Sequence, residues 1–258
     1  MKKFLLSLSI FQLWICTGFG QDIGVFQALA PSAGCELGQS ETVTVQVFNY
    51  GNAFTGSFDV SYRLNGGPIV TETINMPFSF LQNSTYTYTF LTNANLSTFG
   101  THAFDFFTTL AGDVNNFNDS VVGYMVDSDQ LSEGGLITTP ETTVCYGSNS
   151  GLLTLTSQIG NVLNWGFSLN GGVSWTNIAT SSLNLTFSNL VNETFYRVNV
   201  KNGLCPAINS NPIQLSLDQP TVGGFLSGSD TVCFGMNSGI LELASYTGDI
   251  IEWEYSVD

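Results

Sequence analysis

Residues 57–64 read SFDVSYRL and are followed directly by Asn65-Gly66-Gly67. Apolar and polar residues alternate along this run, and a period of two places the apolar ones on one face of a β-strand. Asn-Gly is the strongest short-range signal for a tight hairpin turn. The alternation resumes over residues 69–74, so this stretch predicts a β-hairpin with one buried face.

The same alternation recurs along the N-terminal half, at residues 42–48, 85–90, 101–108 and 120–126. Charged residues make up only 10% of the chain, which suits half-buried pleated strands better than long amphipathic helices. These strands, about seven in number, predict one immunoglobulin-like sandwich at residues 21–127. Residues 128–135 are small, polar and acidic and are predicted to form a linker.

A repeat follows the linker. At an offset of 88 residues, Thr143-Val144-Cys145 aligns with Thr231-Val232-Cys233, and Trp165 aligns with Trp253. We therefore expect an Ig-like repeat at residues 136–219 and a second at 220–258, which stops five residues after Trp253 and is incomplete. The predicted fold class is all-β, with tandem immunoglobulin-like β-sandwiches of which the last is truncated.

The first 20 residues have the features of a secretory signal peptide. Lys2 and Lys3 precede an apolar run over residues 4–15, and the small residues Gly18 and Gly20 precede a cleavage point after Gly20. No later stretch approaches the ~20 apolar residues that a membrane span needs. The sequence predicts a secreted or cell-surface protein, attached to the outer membrane, with no membrane insertion after signal cleavage.

The chain is strongly acidic, with a net charge of −15. Signal cleavage removes two of the five basic residues and leaves three against 20 acidic ones, a net charge near −17. Nucleic acids are bound by arrays of Lys and Arg, which three scattered cations cannot form. Nucleic acid is therefore excluded as a partner, and the acidity favours solubility and mutual repulsion.

Four cysteines remain after signal cleavage: Cys35, Cys145, Cys205 and Cys233. Cys145 and Cys205 lie in one repeat copy of an exported protein and are the expected disulfide. Cys233 occupies the position of Cys145 in the second copy. For Cys35 two alternatives stay open, a small buried or loop thiol and a bridge between domains.

One segment has the character of a metal site. Residues 113–119 read DVNNFND, in which Asp113, Asn115 and Asp119 place oxygen ligands at alternate positions, as calcium prefers. An EF-hand-like loop would have a ligand at Phe117 and glycine at Asn118, so the match is incomplete. The alternative is an Asx-rich turn between two strands. No other cofactor is expected.

Catalysis is not expected. The single histidine, His102, lies in a strand pattern, and Lys201 is the only lysine after signal cleavage, so a base-activated nucleophile and a phosphate cradle are both excluded. Trp165 and Trp253 are expected in sandwich cores. Trp175 follows Gly171-Gly172 and is the candidate for an exposed, glycan-stacking ring.

Several motifs resemble known surface modules. Gly34-Cys35-Glu36-Leu37-Gly38, Asn49-Tyr50-Gly51 and residues 115–119 resemble a CARDB-like module, the cell-adhesion-related domain of bacterial surface proteins. The repeat with Asn149-Ser150-Gly151 and Trp165 is similar to Ig-like repeats of surface proteins exported by type IX-secreting bacteria. This resemblance implies a large multidomain surface protein and carries over no binding residue.

The sequence thus predicts a non-enzymatic adhesion or interaction protein whose sandwiches form a stalk or scaffold and whose ligand is a protein or glycan surface. The alternative is an accessory region of a secreted hydrolase, with carbohydrate binding as one of its functions and the catalytic domain outside these residues.

Overall fold

The computed structural model describes residues 20–257, so the signal-peptide prediction lies outside the described residues except for Gly20. The chain divides into two compact units, Met1–Asp129 and Gln130–Asp258, which we call unit 1 and unit 2. Within residues 20–257 no helix is long and apolar enough to cross a membrane. The expected all-β class is confirmed, since the elements are strands.

Unit 1 contains eight strands in the described residues: β1 (Ile23–Ala30), β2 (Gly34–Cys35), β3 (Thr44–Asn49), β4 (Ser57–Leu64), β5 (Ile69–Asn75), β6 (Thr85–Thr89), β7 (Gly100–Thr109) and β8 (Ser120–Asp129). They form a three-stranded sheet in the order β1-β3-β6 and a five-stranded sheet in the order β2-β8-β7-β4-β5. All pairs are antiparallel except β2 with β8.

The predicted hairpin forms at β4 and β5. Asn65 and Gly66 both have positive φ, 51° and 69°, and Gly67 donates its N–H to the Leu64 carbonyl at 2.9 Å. Two central residues of positive φ define the type I′ turn that matches the twist of paired strands. Beyond the turn, Arg63 pairs with Ile69, so the predicted hairpin is present.

The core of unit 1 lies between its two sheets, where the alternating residues of the sequence point inward. Val45 and Val47 from the smaller sheet, Val43 just before β3, and Phe104 and Phe106 from the larger sheet are at most 1% exposed. Such burial removes apolar surface from water at about 25 cal/mol per Å² and is the main favourable term for a sandwich.

Unit 2 contains eleven strands in the described residues: β9 (Leu136–Thr138), β10 (Thr143–Cys145), β11 (Ser150–Thr156), β12 (Asn161–Ser168), β13 (Thr176–Ile178), β14 (Asn184–Ser188), β15 (Thr194–Lys201), β16 (Ile208–Asn209), β17 (Ile213–Asp218), β18 (Phe225–Ser227) and β19 (Glu242–Ala244). One sheet has the order β10-β17-β15-β12-β13, with β16 also on β15. The second has the order β14-β11-β9, and β18 and β19 form a separate pair.

The core of unit 2 is built on Trp165, which is fully buried as expected. Its indole N–H donates to the Ser182 carbonyl at 2.8 Å, so the one polar atom of the ring is satisfied. Trp253 was expected to be buried likewise, but it is 55% exposed. The reason is that residues 220–257 form only the β18–β19 pair, which has no second layer to cover the ring.

The two repeat copies share local backbone conformation. Ser157 and Ser245 both have positive φ, 57° and 56°, at the offset of 88. The Asn149 side-chain amide donates to the Cys145 carbonyl, and Asn237 donates in the same way to Cys233. The structure also locates a one-residue difference. The isolated bridge Glu133–Ile159 of the first copy corresponds to Val222–Thr247 of the second. The first residues of the two bridges are 89 positions apart and the second residues are 88 apart, so the second copy is one residue shorter between its bridge residues.

The disulfide prediction is wrong. Cys145 is a free, exposed cysteine, whereas Cys205 is fully buried and disulfide-bonded. On β10 the inward-facing residue is Val144, which packs against the core, so the next residue, Cys145, points to the opposite side. Of the two alternatives for Cys35, the thiol is overturned, because this cysteine is disulfide-bonded.

This assignment predicts the alkylation pattern of the purified protein. Iodoacetamide under denaturing, non-reducing conditions should label the two free cysteines, Cys145 and Cys233, and should leave Cys35 and Cys205 unlabelled until a reductant is added. Peptide mass spectrometry measures each label separately. Labelled Cys205 without reductant would contradict the assignment.

Candidate functional site

The predicted calcium segment lies at one end of unit 1, in the connection from β7 to β8. The N-terminal residues run beside it, because Val114 donates its N–H to the Gln21 carbonyl at 3.0 Å and Val25 donates to the Asn118 carbonyl at 3.1 Å. Asp22 is therefore brought to a loop about 90 residues away in sequence. We call the group Asp22, Asp113, Asn115, Asn118 and Asp119 the acidic corner.

Asp113 holds the loop to β1. Its Oδ2 accepts the N–H of Ile23 at 3.0 Å, and its Oδ1 accepts the N–H of Asn115 at 2.8 Å. The second of these bonds is an Asx turn, the alternative that the sequence left open. Each oxygen keeps a further acceptor position, because a carboxylate oxygen can accept two hydrogen bonds or ligate a cation as well.

Asn118 and Asp119 leave two oxygens without partners. The side-chain amide of Asn118 donates to Asp22 Oδ1 at 2.8 Å, which turns its own Oδ1 away from that contact. In the described part of the chain, Asn118 Oδ1 and Asp119 Oδ1 are buried and accept no hydrogen bond. A buried acceptor without a partner costs about 1–3 kcal/mol. Two acceptors cannot satisfy each other, so the corner requires a donor or a cation.

The pKa of Asp119 reflects the burial of its carboxyl group and the other carboxylates nearby. Burial raises the pKa of Asp119 to about 6, and the negative charges of Asp113 and Asp22 act in the same direction, while the neighbouring Thr108 hydroxyl opposes them. Thr108 is itself buried and donates to the Ile23 carbonyl at 3.0 Å. The carboxylate therefore ionises only at a cost to the folded state.

The structure brings two of the three predicted calcium residues together, Asp113 and Asp119, and turns the third away. Asn115 Oδ1 faces the N–H of Phe117 at 3.4 Å, which continues the turn. The sequence missed Asp22 and Asn118. Asn118 adjoins Asp119 and could have been included on that ground, whereas Asp22 is brought in only by strand pairing.

The donor set suits a hard cation better than a transition metal. Within residues 20–257 no three side chains of His, Cys, Asp or Glu are grouped so that they could hold a metal ion on their own. Calcium also accepts amide and carbonyl oxygens, and it tolerates irregular geometry. The two unpartnered oxygens fit such an ion.

The residues considered for catalysis have structural surroundings. His102 is buried at 3% exposure, with Nε2 at 2.8 Å from the Thr98 carbonyl and Nδ1 at 3.1 Å from the Asn65 amide. Both ring nitrogens are thus occupied by the β4–β5 turn and by the segment before β7. This arrangement fixes the ring between two loops, and no hydroxyl or thiol is among these partners.

Trp175 lies on the outer face of unit 2. Its indole N–H donates to the Gly172 carbonyl at 2.9 Å, and the Arg197 guanidinium carbon lies 4.1 Å from the ring centroid. The ring is partly exposed, so the expectation of a surface tryptophan is correct. Its surroundings include asparagine side chains of four strands.

A family model described as "Domain of unknown function (DUF8696)" matches residues 133–219. No curated protein matches the chain. The chain is similar to the CARDB domain of a Pyrococcus furiosus protein, solved in complex with di-metal ions. That match has 18% identity and a TM-score of 0.35, and it covers 43% of this chain and 94% of that one.

Two further solved structures contain fibronectin domains. The chicken CNTN1 FN1–FN3 domains match with 10% identity and a TM-score of 0.33, covering 78% of this chain and 68% of that one. The Clostridium thermocellum CbhA fibronectin(III)-like modules match with 12% identity and a TM-score of 0.33, covering 75% and 94%. At these TM-scores the comparisons carry no argument about a site, and the sandwich assignment rests on the strand pairing above.

The pKa of Asp119 predicts a pH dependence of stability. Between its ordinary value of 3.8 and about 6 the folded state binds more protons than the unfolded state. The free energy of unfolding should therefore fall as pH rises through this window and stay level above it. In EDTA at pH 8, Asp119→Asn should be more stable than wild type by about 1–2 kcal/mol, a range discounted for partial solvent exposure. Near pH 3.5 the difference should vanish.

Urea unfolding at both pH values measures this difference. The matched control is Asp127→Asn, which makes the same change near the other end of β8, where Asp127 is exposed and accepts a hydrogen bond from Thr101. A variant that is less stable than wild type at pH 8 would show that the Asp119 carboxylate is well accommodated, contrary to our account.

Proposed function

We propose that the chain is a non-catalytic part of a secreted or cell-surface adhesion or interaction protein, in which β-sandwich modules serve as a scaffold. The observation that carries this proposal is an aromatic strip on the outer face of the β1-β3-β6 sheet. Phe26, Phe48 and Tyr50 lie in a row, with ring centroids 5.7 and 4.5 Å apart. Phe26 is 49% exposed and Tyr50 is 37% exposed.

Such a strip supports an interaction role because large aromatic side chains are costly to leave in water and supply much of the energy at binding surfaces. Hydrogen-bonded polar pairs flank it on the same sheet, Gln27 with Gln46 at 2.9 Å and Thr44 with Thr89 at 3.0 Å. An apolar strip bordered by ordered polar groups is typical of a surface that binds a partner.

The alternative is an accessory region of a secreted hydrolase. The same modules would then flank a catalytic domain encoded after residue 258, and the coding sequence there separates the two functions. Further repeats of about 88 residues favour the scaffold, and a protease or glycosidase domain favours the accessory region.

The interaction proposal predicts binding that depends on the aromatic strip. Beads coated with the purified chain should adhere to at least one surface among mucin, fibronectin, collagen and a printed glycan array. Phe26→Ser should reduce this adhesion about tenfold, because an exposed aromatic anchor contributes at least about 1–2 kcal/mol. The control is Phe78→Ser, which removes a 69% exposed ring outside the strip. Equal loss in both variants, or adhesion to no surface, would argue against the proposal.

A second proposal, supported by the two unpartnered oxygens, is that the acidic corner binds calcium. Asp119 and Asn118 would provide side-chain oxygens, with Asp22 and Asp113 beside them. A bound cation would offset the mutual repulsion of the carboxylates and fix the N-terminal residues against the β7–β8 connection, which would stiffen this end of unit 1.

This proposal predicts that calcium stabilises the protein. At pH 7.5, about 5 mM calcium, above the Kd range of extracellular modules, should raise the Tm of wild type and of Asp127→Asn by about 4 °C or more. Asp119→Asn should show a much smaller rise. Calorimetry with magnesium serves as the ion control. Equal calcium responses in the two variants, or no response at all, would reject the site.

A further inference from the structure

The outer face of unit 2 carries a row of asparagine side chains. Asn164 on β12 lies opposite Asn199 on β15, which lies opposite Asn209 on β16. Neighbouring strands are about 4.8 Å apart, so three amides stand side by side across the sheet. Asn199 donates to Asn209 Oδ1 at 2.9 Å. This bond orders one end of the row.

Trp175 and Arg197 lie beside this row. Arg197 is directly opposite Gly166, two residues along β15 from Asn199. Gly166 has no side chain to separate its neighbours. A Cβ added there would lie 3.6 Å from Trp175 Cε3 and 3.8 Å from Arg197 Cγ. These are ordinary contact distances, so the indole ring and the arginine stem both lie close over the strand at Gly166, and the guanidinium stacks on the ring.

The groove between these side chains has a volume of about 330 Å³ and is lined by Asn164, Trp175, Asn177, Arg197, Asn199 and Asn209, with Gly166 and Thr176. This volume is at the lower end of the range of small-ligand sites, about 300–1,000 Å³. Four amides, a guanidinium and an aromatic ring form a lining that offers hydrogen bonds in many directions, which suits a polyhydroxylated ligand and does not suit a lipid.

Arg197 is not neutralised by the protein. The ion pair found within residues 20–257 is Arg63 with Asp105, and in that range Arg197 forms neither an ion pair nor a side-chain hydrogen bond. Its planar fork of donors is oriented by the stack on Trp175 and matches a carboxylate in two-point contact. The chain has a net charge of −15. An oriented and unpaired guanidinium on its surface is therefore a local positive charge, to which an anion is attracted.

We propose that this groove, which we call the amide groove, binds a carboxylated sugar such as a uronic acid unit of a glycan, with the carboxylate on Arg197 and the ring hydroxyls on Asn164 and Asn199. The inference rests on the proposed interaction function and names its ligand class. The net negative charge of the chain disfavours densely charged polymers, so the preferred glycan alternates acidic with neutral sugars.

The experiment uses the whole secreted chain and a hyaluronan tetrasaccharide, in which uronic acid alternates with a neutral sugar. Binding is followed by ¹H–¹⁵N NMR titration, which reports the side-chain amides of Asn164 and Asn199 and the Trp175 indole directly. Three comparison probes are its carboxyl-reduced form, a heparin tetrasaccharide and a short acetylated peptide that contains Glu.

We expect saturable shifts at these three groups with a Kd of about 1 mM or lower. Arg197→Gln should weaken binding about tenfold or more, because a charge-assisted hydrogen bond is lost. The matched control is Lys201→Gln, which removes a charge from the exposed end of the same strand and should change Kd less than twofold. Arg197→Lys should recover binding only in part, because a lysine lacks the two-point fork.

The carboxyl-reduced probe should bind at least about tenfold more weakly, and heparin should bind no better than the hyaluronan probe. The proposal is overturned if the reduced probe binds equally well, if the peptide binds the same groups as tightly, or if shifts occur elsewhere or not at all. Adhesion through the aromatic strip of unit 1 is measured separately, so it distinguishes failure of this ligand from failure of the interaction function.

Discussion

The stacking of Phe104 on Phe106 is the interaction around which unit 1 is assembled. Both side chains are fully buried, and their rings are nearly parallel with centroids 5.7 Å apart. Tyr62 from β4 and Tyr124 from β8 contact them from either side. Because β7 is central in its sheet, the orientation of these two rings determines which residues of both neighbouring strands face inward.

The residues of β7 that alternate with these buried side chains consequently point to the opposite face of the sheet. Asp105, between the two phenylalanines, faces solvent and pairs with Arg63 at 2.7 Å. Hydrogen bonds from the Gly123 N–H and from Arg63 hold the pKa of Asp105 below its usual value. Thr108 continues the inward-facing series and donates to the Ile23 carbonyl, which brings β1 to the acidic corner. The corner is thus a consequence of core packing, and its two unpartnered oxygens lie where that packing leaves no donor.

Sequence alternation was sufficient to predict β3 to β8 of unit 1, the β4–β5 hairpin and the burial of Trp165, because each depends on local period and turn chemistry. It was not sufficient for contacts that depend on which side of a strand a residue faces. Cys145 follows the inward-facing Val144 and therefore faces outward, although its position in the repeat suggested a core disulfide. Asp22 was missed because only the pairing of β1 brings it to the β7–β8 loop.

Of the residues that line the amide groove, only Trp175 was identified from the sequence as a candidate binding residue. The other residues of the groove belong to four strands, and no local pattern distinguishes Asn164 or Asn199 from the asparagines of turns. Their alignment depends on the irregular register between Val162 and Asn164, where β12 shifts against β15. Without that shift Asn164 would face the core, because a displacement of one residue exchanges the two faces of a strand.

The net charge of the chain acts in opposite directions on the two proposed sites. At the acidic corner the surrounding carboxylates attract a cation, and salt that screens this field weakens the attraction. At the amide groove the same charge repels an acidic sugar, so screening reduces the repulsion while the short contact with Arg197 persists. At physiological ionic strength the Debye length is about 8 Å. Contacts within hydrogen-bond distance then outweigh the long-range field, and for this reason one stacked guanidinium can select an anion on an acidic protein.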